Sequence, residues 1–468
     1  MKTAALHNLG CKVNAYETEA MQQLLEASGY RIVDFSQKAD IYIINTCSVT
    51  NVADKKSRQM LHRAKKQNPD SIVVAAGCYA QSAEETLKKD ASVDIIIGNN
   101  KKKELPQILE EYFAARQQKK EDPRPRVHVI DISKARDYEE LHIEKIAGHT
   151  RAFLKVQDGC NQFCTYCIIP YTRGRIRSRR QEEAVEEVAG LTRKGYKEIV
   201  LTGIHLSSYG KDFTDREQGE SQVELIDLIR QIHRIDGVKR IRLGSLEPRI
   251  VTREFARALA ELPKICPHFH LSLQSGCQAT LKRMNRHYTP EEYLEGCRNL
   301  RRVFENPAIT TDVITGFPGE TEEEFEETKK FLEKAAFYEM HIFKYSRREG
   351  TRADKMPDQV PEELKARRSD ILLSLERQMS KAYRQSFLGK ECCILLEESV
   401  TIDGKGYYIG HTPEYVRMAV PMEKIEVFLP GKAGKKPGFS GAGGLMAEGI
   451  AVRMLTDEIL LLQEKLRN

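Results

Sequence analysis

Long apolar runs are missing from this chain, and none approaches the ~18 residues of a membrane span. The opening residues 1–7 carry no secretory apolar region and no small-residue cleavage site. No repeat of fixed period appears, and neither charge dominates: 74 Lys and Arg stand against 68 Asp and Glu, a net +6. That balance permits a basic partner surface without demanding one. Export, membrane insertion and intrinsic disorder are not expected. A length of 468 residues with 30% charged side chains points to a cytoplasmic chain of about two to four domains.

A disulfide framework is not expected either. Eleven cysteines without an export signal read as metal ligands, catalytic groups or buried hydrophobes. Cys160, Cys164 and Cys167 form a tight C-x-x-x-C-x-x-C cluster, whereas Cys11, Cys47 and Cys78 are spread over the first eighty residues. Cys266, Cys277, Cys297, Cys392 and Cys393 follow no metal-ligand spacing and are expected to be buried.

Composition breaks divide the chain into 1–115, a charged and proline-bearing linker at 116–145, a second unit at 146–378 and a third at 379–468. The linker carries one strand-like run at 127–130. In the first unit, apolar runs at 4–9, 41–45 and 72–76 alternate with helical segments at 16–28 and 52–66, which predicts a parallel sheet of βαβ units. A cysteine follows each run: Cys11, Cys47, Cys78. Ligands bind at the carboxyl edge of such sheets, so three thiols distant in sequence are expected to meet as one metal site. Chance burial leaves their shared placement past a strand end unexplained.

The second unit alternates six strand-like runs (153–157, 198–202, 240–246, 269–274, 310–314 and 340–345) with helical stretches. That pattern predicts a partial (β/α)6 barrel, incomplete against the eight-unit form. Short β-like runs, glycine-rich turns at 403–406 and 431–444 and a final run at 459–462 predict a small β-barrel at the end of an α/β protein.

The Cys160–Cys164–Cys167 loop follows the first barrel strand directly. Three thiolates on one short loop can hold three irons of a 4Fe–4S cluster, leaving the fourth iron open to chelate a substrate's amino and carboxylate groups. Zinc is the alternative, since Cys164-x-x-Cys167 fits half of a tetrahedral site. Its partner pair is missing, and Cys160 is surplus to it.

At this point the chain resembles the radical S-adenosylmethionine superfamily, and within it the methylthiotransferases. The resemblance covers nearly the whole sequence. Gly159-Cys160-Asn161-Gln162-Phe163-Cys164-Thr165-Tyr166-Cys167-Ile168-Ile169-Pro170-Tyr171 is similar to the family's cluster loop, and Arg173-Gly174-Arg175-Ile176-Arg177-Ser178-Arg179 continues it. Leu201-Thr202-Gly203-Ile204-His205, His270-Leu271-Ser272-Leu273-Gln274-Ser275-Gly276 and Thr311-Asp312-Val313-Ile314-Thr315-Gly316-Phe317-Pro318-Gly319-Glu320 resemble further family motifs. The first unit matches the family's second cluster site, and the last resembles its RNA-binding TRAM domain.

The resemblance implies two 4Fe–4S clusters and S-adenosylmethionine as cofactors. Cys160, Cys164 and Cys167 would hold the cluster that splits S-adenosylmethionine to a 5′-deoxyadenosyl radical. Cys11, Cys47 and Cys78 would hold the cluster whose sulfur is methylated and inserted. Such a radical is needed because an aromatic C–H bond resists acid–base activation at neutral pH. Cofactor contacts are expected from Tyr166, Gly203, Gln274, Asp312 and Gly316, for which core packing, turn geometry and strand-end capping are the plainer readings. Partners implied are the anticodon stem-loop of tRNA, a low-potential electron donor such as flavodoxin or ferredoxin, and a sulfur source, with no membrane.

The family's targets are a ribosomal protein aspartate or adenosine at tRNA position 37 bearing one of two bulky N6 groups. Residues 157–164 and 244–248 resemble the branch acting on C2 of N6-threonylcarbamoyladenosine; the isopentenyladenosine branch is the nearest rival. An iron–sulfur RNA-binding regulator without turnover is the non-enzymatic alternative, which the complete barrel motif set argues against. Arg173, Arg175, Arg177 and Arg179 are expected to track tRNA phosphates. The alternating Ile176 and Ser178 suggest an extended segment with its arginines on one side.

Overall fold

A computed structural model describes residues 1–118, 125–145, 150–213, 224–429 and 444–464. Strands β1 (Thr3–Asn8), β2 (Arg31–Ile32), β3 (Ile41–Thr46), β4 (Ile72–Gly77), β5 (Ile95–Ile97) and β6 (Arg126–His128) form a parallel sheet in the order β2-β1-β3-β4-β5-β6. Every residue of β3 and β4 is buried, because helices cover both faces and leave no side for a polar alternation. Met21, Leu25 and Ile108 pack on Ile41 and Ile43 from one face. Leu61 and Ala64 pack on Tyr42 and Ile44 from the other. The stretch expected as a linker thus contributes the sheet's last strand.

Seven strands follow: β7 (Arg151–Asp158), β8 (Arg177–Ser178), β9 (Glu198–Gly203), β10 (Arg240–Leu243), β11 (His268–His270), β12 (Ala308–Thr315) and β13 (Glu339–Lys344). They run in the orders β10-β9-β7-β8 and β11-β12-β13. Parallel bridges Ile241↔Ile265 and Leu246↔Leu271 join the two groups. Six parallel strands, one for each expected run, therefore make the partial barrel. Only β8 is antiparallel, lying along β7 at the sheet's outer edge. Thr289 with Glu292 and Thr321 with Glu324 form reciprocal caps that start two of the outer helices.

The helix Glu362–Gln385 leads out of the barrel, so the boundary expected at 379 falls inside a helix. Strands β14 (Glu391–Ile402), β15 (Lys405–His411), β16 (Arg417–Pro421), β17 (Met446–Met454) and β18 (Leu460–Gln463) then close into a small barrel, which leaves no unpaired sheet edge. Asp403 (φ 48°) and Gly404 (φ 75°) turn the β14–β15 hairpin, as left-handed positions in a two-residue turn require. Most of the 431–444 stretch lies outside the described residues. Tyr407 and Phe428 sit in this barrel's own interior. Tyr415 instead faces the larger barrel, with Arg151 and Arg242 each 4.8 Å from its ring and His268 at 5.2 Å.

Candidate active site

Cys11, Cys47 and Cys78 follow β1, β3 and β4, three adjacent strands, at the sheet's carboxyl edge. The thiols face one another closely enough that Cys78 and Cys11 both act on the charge of Cys47. Asn14 braces two of the loops: its amide donates to the carbonyl of Leu9 (2.7 Å) and to that of Thr46 (3.0 Å). Gly10 has φ +100°, and a Cβ there would stand 2.7 Å from Cys47 Sγ, so a side chain at this position would fill the site.

The second thiol group lies on the loop after β7. Cys160 N donates to Gly174 O (3.0 Å), and Cys167 N donates to Cys164 O (3.0 Å). Thr165 is tied to Met284 O and Arg283 O, and Asn285 donates to Phe163 O at 3.1 Å. Gly159 turns the strand into this loop at φ +70°, where a Cβ would collide with Arg175 O at 1.8 Å. Arg286 donates from Nη1 to Cys164 Sγ at 3.2 Å. Neither the Asn285 nor the Arg286 contact is visible in the sequence, since both residues lie more than a hundred positions downstream.

Burial pushes the Cys47 and Cys160 thiols up to about 11 and Cys167 up to about 12. Ligation requires thiolates, so a bound metal's positive charge must offset that burial. The surroundings of Cys78 suit an anionic group. Glu17 and Asp158 are buried beside four buried cations: Lys102, Lys155, Arg173 and Arg177. Lys102 and Lys155 lie 3.1 Å and 2.8 Å from Glu17; Lys155 also lies 2.7 Å from Asp158. Burial alone would raise the Asp158 carboxyl, but Lys155, Arg173 and Arg177 outweigh it and hold the group below the usual range. Even with the buried Glu139 near Lys155, three carboxylates do not balance four cations. A thiolate-ligated cluster, with its net negative charge, fits the excess, and both cysteine groups are chemically suited to 4Fe–4S ligation.

The arginine run requires a correction. Arg173, Arg177 and Arg179 are wholly buried and cannot track phosphates. The pairing of β8 with β7 buries Arg177 and Ser178 together, while Arg173 ends the short helix Ile169–Arg173 and Arg175 stays outside. Arg173 reaches Glu17 (2.8 Å), Asp158 (3.1 Å) and Asn14 (2.6 Å). Arg177 donates to the carbonyls of Arg173 and Arg175, and Arg179 lies 2.7 Å from Glu187. Of the four, Arg175 alone is exposed, its guanidinium 4.7 Å from the Phe163 ring.

Gly203 ends β9, and a Cβ there would stand 2.9 Å from Gln157 Oε1, which accepts from His205 N at 2.6 Å. Gln274 adopts φ +72° past β11, and its N donates to Asp312 O at 2.9 Å. Gly316, at φ +69°, follows β12 and donates to Glu320 Oε1 at 2.9 Å. These three positions share the strand-end side of the barrel with the cysteine loop. Tyr166 is half-buried and packs on Met284, Phe317 and Tyr345, which serves the core reading. Asp312 differs, because it lies in mid-strand with its carboxylate 3.4 Å from His270 Nε2. The remaining five cysteines fall outside both groups; Cys266, Cys277, Cys297 and Cys392 are buried and Cys393 is half-buried. Among the described residues, no helix is long and apolar enough to cross a membrane.

Residues 154–332 match the Radical SAM superfamily model, and residues 3–98 match Uncharacterized protein family UPF0004. The chain is 42% identical over 460 residues to a threonylcarbamoyladenosine tRNA methylthiotransferase of Bacillus subtilis, covering 98% of each. It is 39% identical to a tRNA-2-methylthio-N(6)-dimethylallyladenosine synthase of Acetivibrio thermocellus, over 85% of this chain and 81% of that one. A solved radical S-adenosylmethionine methyltransferase from Kitasatospora setae shares the fold, with a TM-score of 0.52 at 14% identity over 86% of this chain and 79% of that one. With its cysteine loops on the matched regions and this likeness running along its length, the chain belongs to the tRNA methylthiotransferases of the radical S-adenosylmethionine superfamily.

Proposed function

We propose that this protein is a threonylcarbamoyladenosine tRNA methylthiotransferase, which places a methylthio group on C2 of N6-threonylcarbamoyladenosine at tRNA position 37 in the cytoplasm. The likeness to the Bacillus subtilis relative along 98% of the chain carries the choice of nucleoside, and a tie between the two cysteine segments supports the two-cluster chemistry. Arg173 lies six residues past Cys167 and donates to Cys78 Sγ at 3.3 Å. Cys160, Cys164 and Cys167 would hold one 4Fe–4S cluster, and Cys11, Cys47 and Cys78 the other. When bound, the first supplies the electron that cleaves S-adenosylmethionine and the second supplies the sulfur.

The protein's own residues position and shield. Arg286 and the Gln162 amide donate to the sulfurs of Cys164 (3.2 Å) and Cys160 (3.5 Å), fixing the loop. Gly203, Gln274 and Gly316 form the strand ends against which S-adenosylmethionine would lie, and Tyr166 flanks them. A low-potential electron donor and a sulfur source complete the set of partners.

For tRNA, the exposed groups near the cysteine loops replace the buried arginines. Arg175 and Tyr171 flank Phe163, with the two rings 5.9 Å apart. Val49 and Val52 are more than half exposed beside Cys47, and Lys55, Lys56 and Arg63 are exposed on the next helix. Aromatic and apolar groups ringed by cations suit unstacked bases and their phosphates. The small C-terminal barrel would add a TRAM-type contact to the stem.

The test is nucleoside mass spectrometry on tRNA from a strain lacking the gene. The expected result is loss of 2-methylthio-N6-threonylcarbamoyladenosine with accumulation of its unmethylthiolated precursor. Loss of the methylthiolated isopentenyl nucleoside instead would refute the assignment.

A further inference from the structure

The barrel interior holds its own excess of cations. Lys12 opens the helix Lys12–Ala27 directly after Cys11, and its side chain is exposed. Yet its charged neighbours are Arg151, Arg242 and Glu198, which belong to three strands of the barrel, β7, β10 and β9. That helix also packs on β7 and β9. The helix packing thus puts the solvent-accessible Lys12 on the barrel's side of the N-terminal sheet, within electrostatic reach of these three strands.

The nearby carboxylates are already committed. Glu198 is shared by Arg242 (2.7 Å) and Arg240 (3.6 Å), and Glu397 pairs with Arg151 at 2.9 Å. Among the described residues, Lys12 has no ion-pair partner. Arg240 also donates to the carbonyls of His411 and Cys393 in the small barrel, and Asp312 faces His270, so Lys12 is the cation of this group left without a carboxylate. Polar groups continue along the same interior: His268 lies among Arg242, Lys12, His270 and Arg151. His270, Asp312 and His341 bring one polar atom each within 4.8 Å of one another, and the two imidazoles stack at 5.9 Å. A cationic, hydrogen-bonding interior is poorly suited to an apolar prenyl group. It suits an anion carrying further polar atoms.

We propose that Lys12 pairs with the carboxylate of the threonylcarbamoyl group inside the barrel, and that His270 and His341 line the pocket around it. The inference rests on the threonylcarbamoyladenosine reading and names the residue that selects that nucleoside. The substrate's N6 group ends in a carboxylate, whereas the dimethylallyl group has neither charge nor hydrogen-bonding atoms. One lysine against that carboxylate would separate the two, because a site built for a charge rejects the ligand that lacks it.

The experiment uses the cluster-loaded full chain and an anticodon stem-loop RNA carrying N6-threonylcarbamoyladenosine, as the free acid or as its neutral methyl ester. The wild type is expected to bind the acid about tenfold or more tightly than the ester. Lys12→Met should bring that ratio close to one by weakening the acid alone, and Lys12→Arg should keep most of it. A wild-type ratio near one, or a ratio that persists in Lys12→Met, would overturn the proposal. Iron content is measured on each variant. If Lys12→Met and Lys12→Arg both lose iron from the Cys11 site, Lys12 serves the cluster and the proposal is equally wrong. The substrate reading fails separately, if the wild type leaves the acid stem-loop unmodified but methylthiolates a dimethylallyladenosine one.

Discussion

Arg173 Nε lies 3.3 Å from Cys78 Sγ, so a residue of the barrel's cysteine segment holds a thiol of the N-terminal sheet. Asn99 supports the same sulfur at 3.6 Å while donating to Thr172 O at 2.7 Å. The two cysteine groups are thereby fixed to one another through a single buried turn, and Arg173 also grips Asn14, the brace of the Cys11 and Cys47 loops.

Arg173→Met removes an N–H donor from a cluster ligand and leaves Glu17 and Asp158 with fewer partners. The midpoint potential of the Cys11–Cys47–Cys78 cluster should fall, since N–H···S bonds stabilise the reduced state. Unfolding should become easier by about 3–5 kcal/mol, the range for breaking a buried ion pair. Arg173→Lys keeps the charge without the Nε donor, so its potential should fall with a smaller loss of stability. EPR-monitored redox titration and denaturant melts check both effects.

Arg175 is the exposed member of its run, and its replacement by Gln should weaken tRNA binding across sequences. The slope of log affinity against log salt should shrink by up to ~0.9, the value of one phosphate contact. Arg179→Gln should instead destabilise the fold by about 3–5 kcal/mol through the loss of Glu187's partner. Salt-dependent binding and thermal melts distinguish the two positions.

Burial drives the His205 imidazole down to about 4 from an ordinary 6.5, against the opposing pull of Glu247. The unfolded chain then binds the proton first. Stability present above about pH 6.5 is lost as pH falls towards about 4, by at most about 3 kcal/mol. His268, also held low by burial and by Arg242, acts in the same direction. Urea midpoints between pH 7 and pH 4.5 should fall less in His205→Gln than in the wild type.

Much of this architecture was legible because doubly covered parallel strands appear as plain apolar runs, as at β3 and β4. Six barrel strands and all three strand-end cysteines of the first unit followed from that pattern. The arginine run misled for a physical reason. Its alternation suggested an extended run with the arginines on one side, but only Arg177 and Ser178 form a strand, Arg173 ends a helix and Arg175 alone points outward. An alternating sequence carries no mark of what its side chains meet. The carboxylates that receive Arg173, Asp158 and Glu17, lie 15 and 156 positions away. The buried Lys102 and Lys155 were equally silent, because a lysine is ordinarily solvated and only the fold reveals its carboxylate.

The central claim is that two separate cysteine groups carry two separate parts of one reaction, and a single assay on threonylcarbamoyladenosine-bearing tRNA tests it. After anaerobic reconstitution the wild type should bind about eight irons and form the methylthiolated nucleoside. With Cys11, Cys47 and Cys78 all changed to Ala, about four irons should remain. That variant should cleave S-adenosylmethionine yet deliver no methylthio group. Methylthiolated nucleoside from that variant, or retention of both its clusters, would contradict the account.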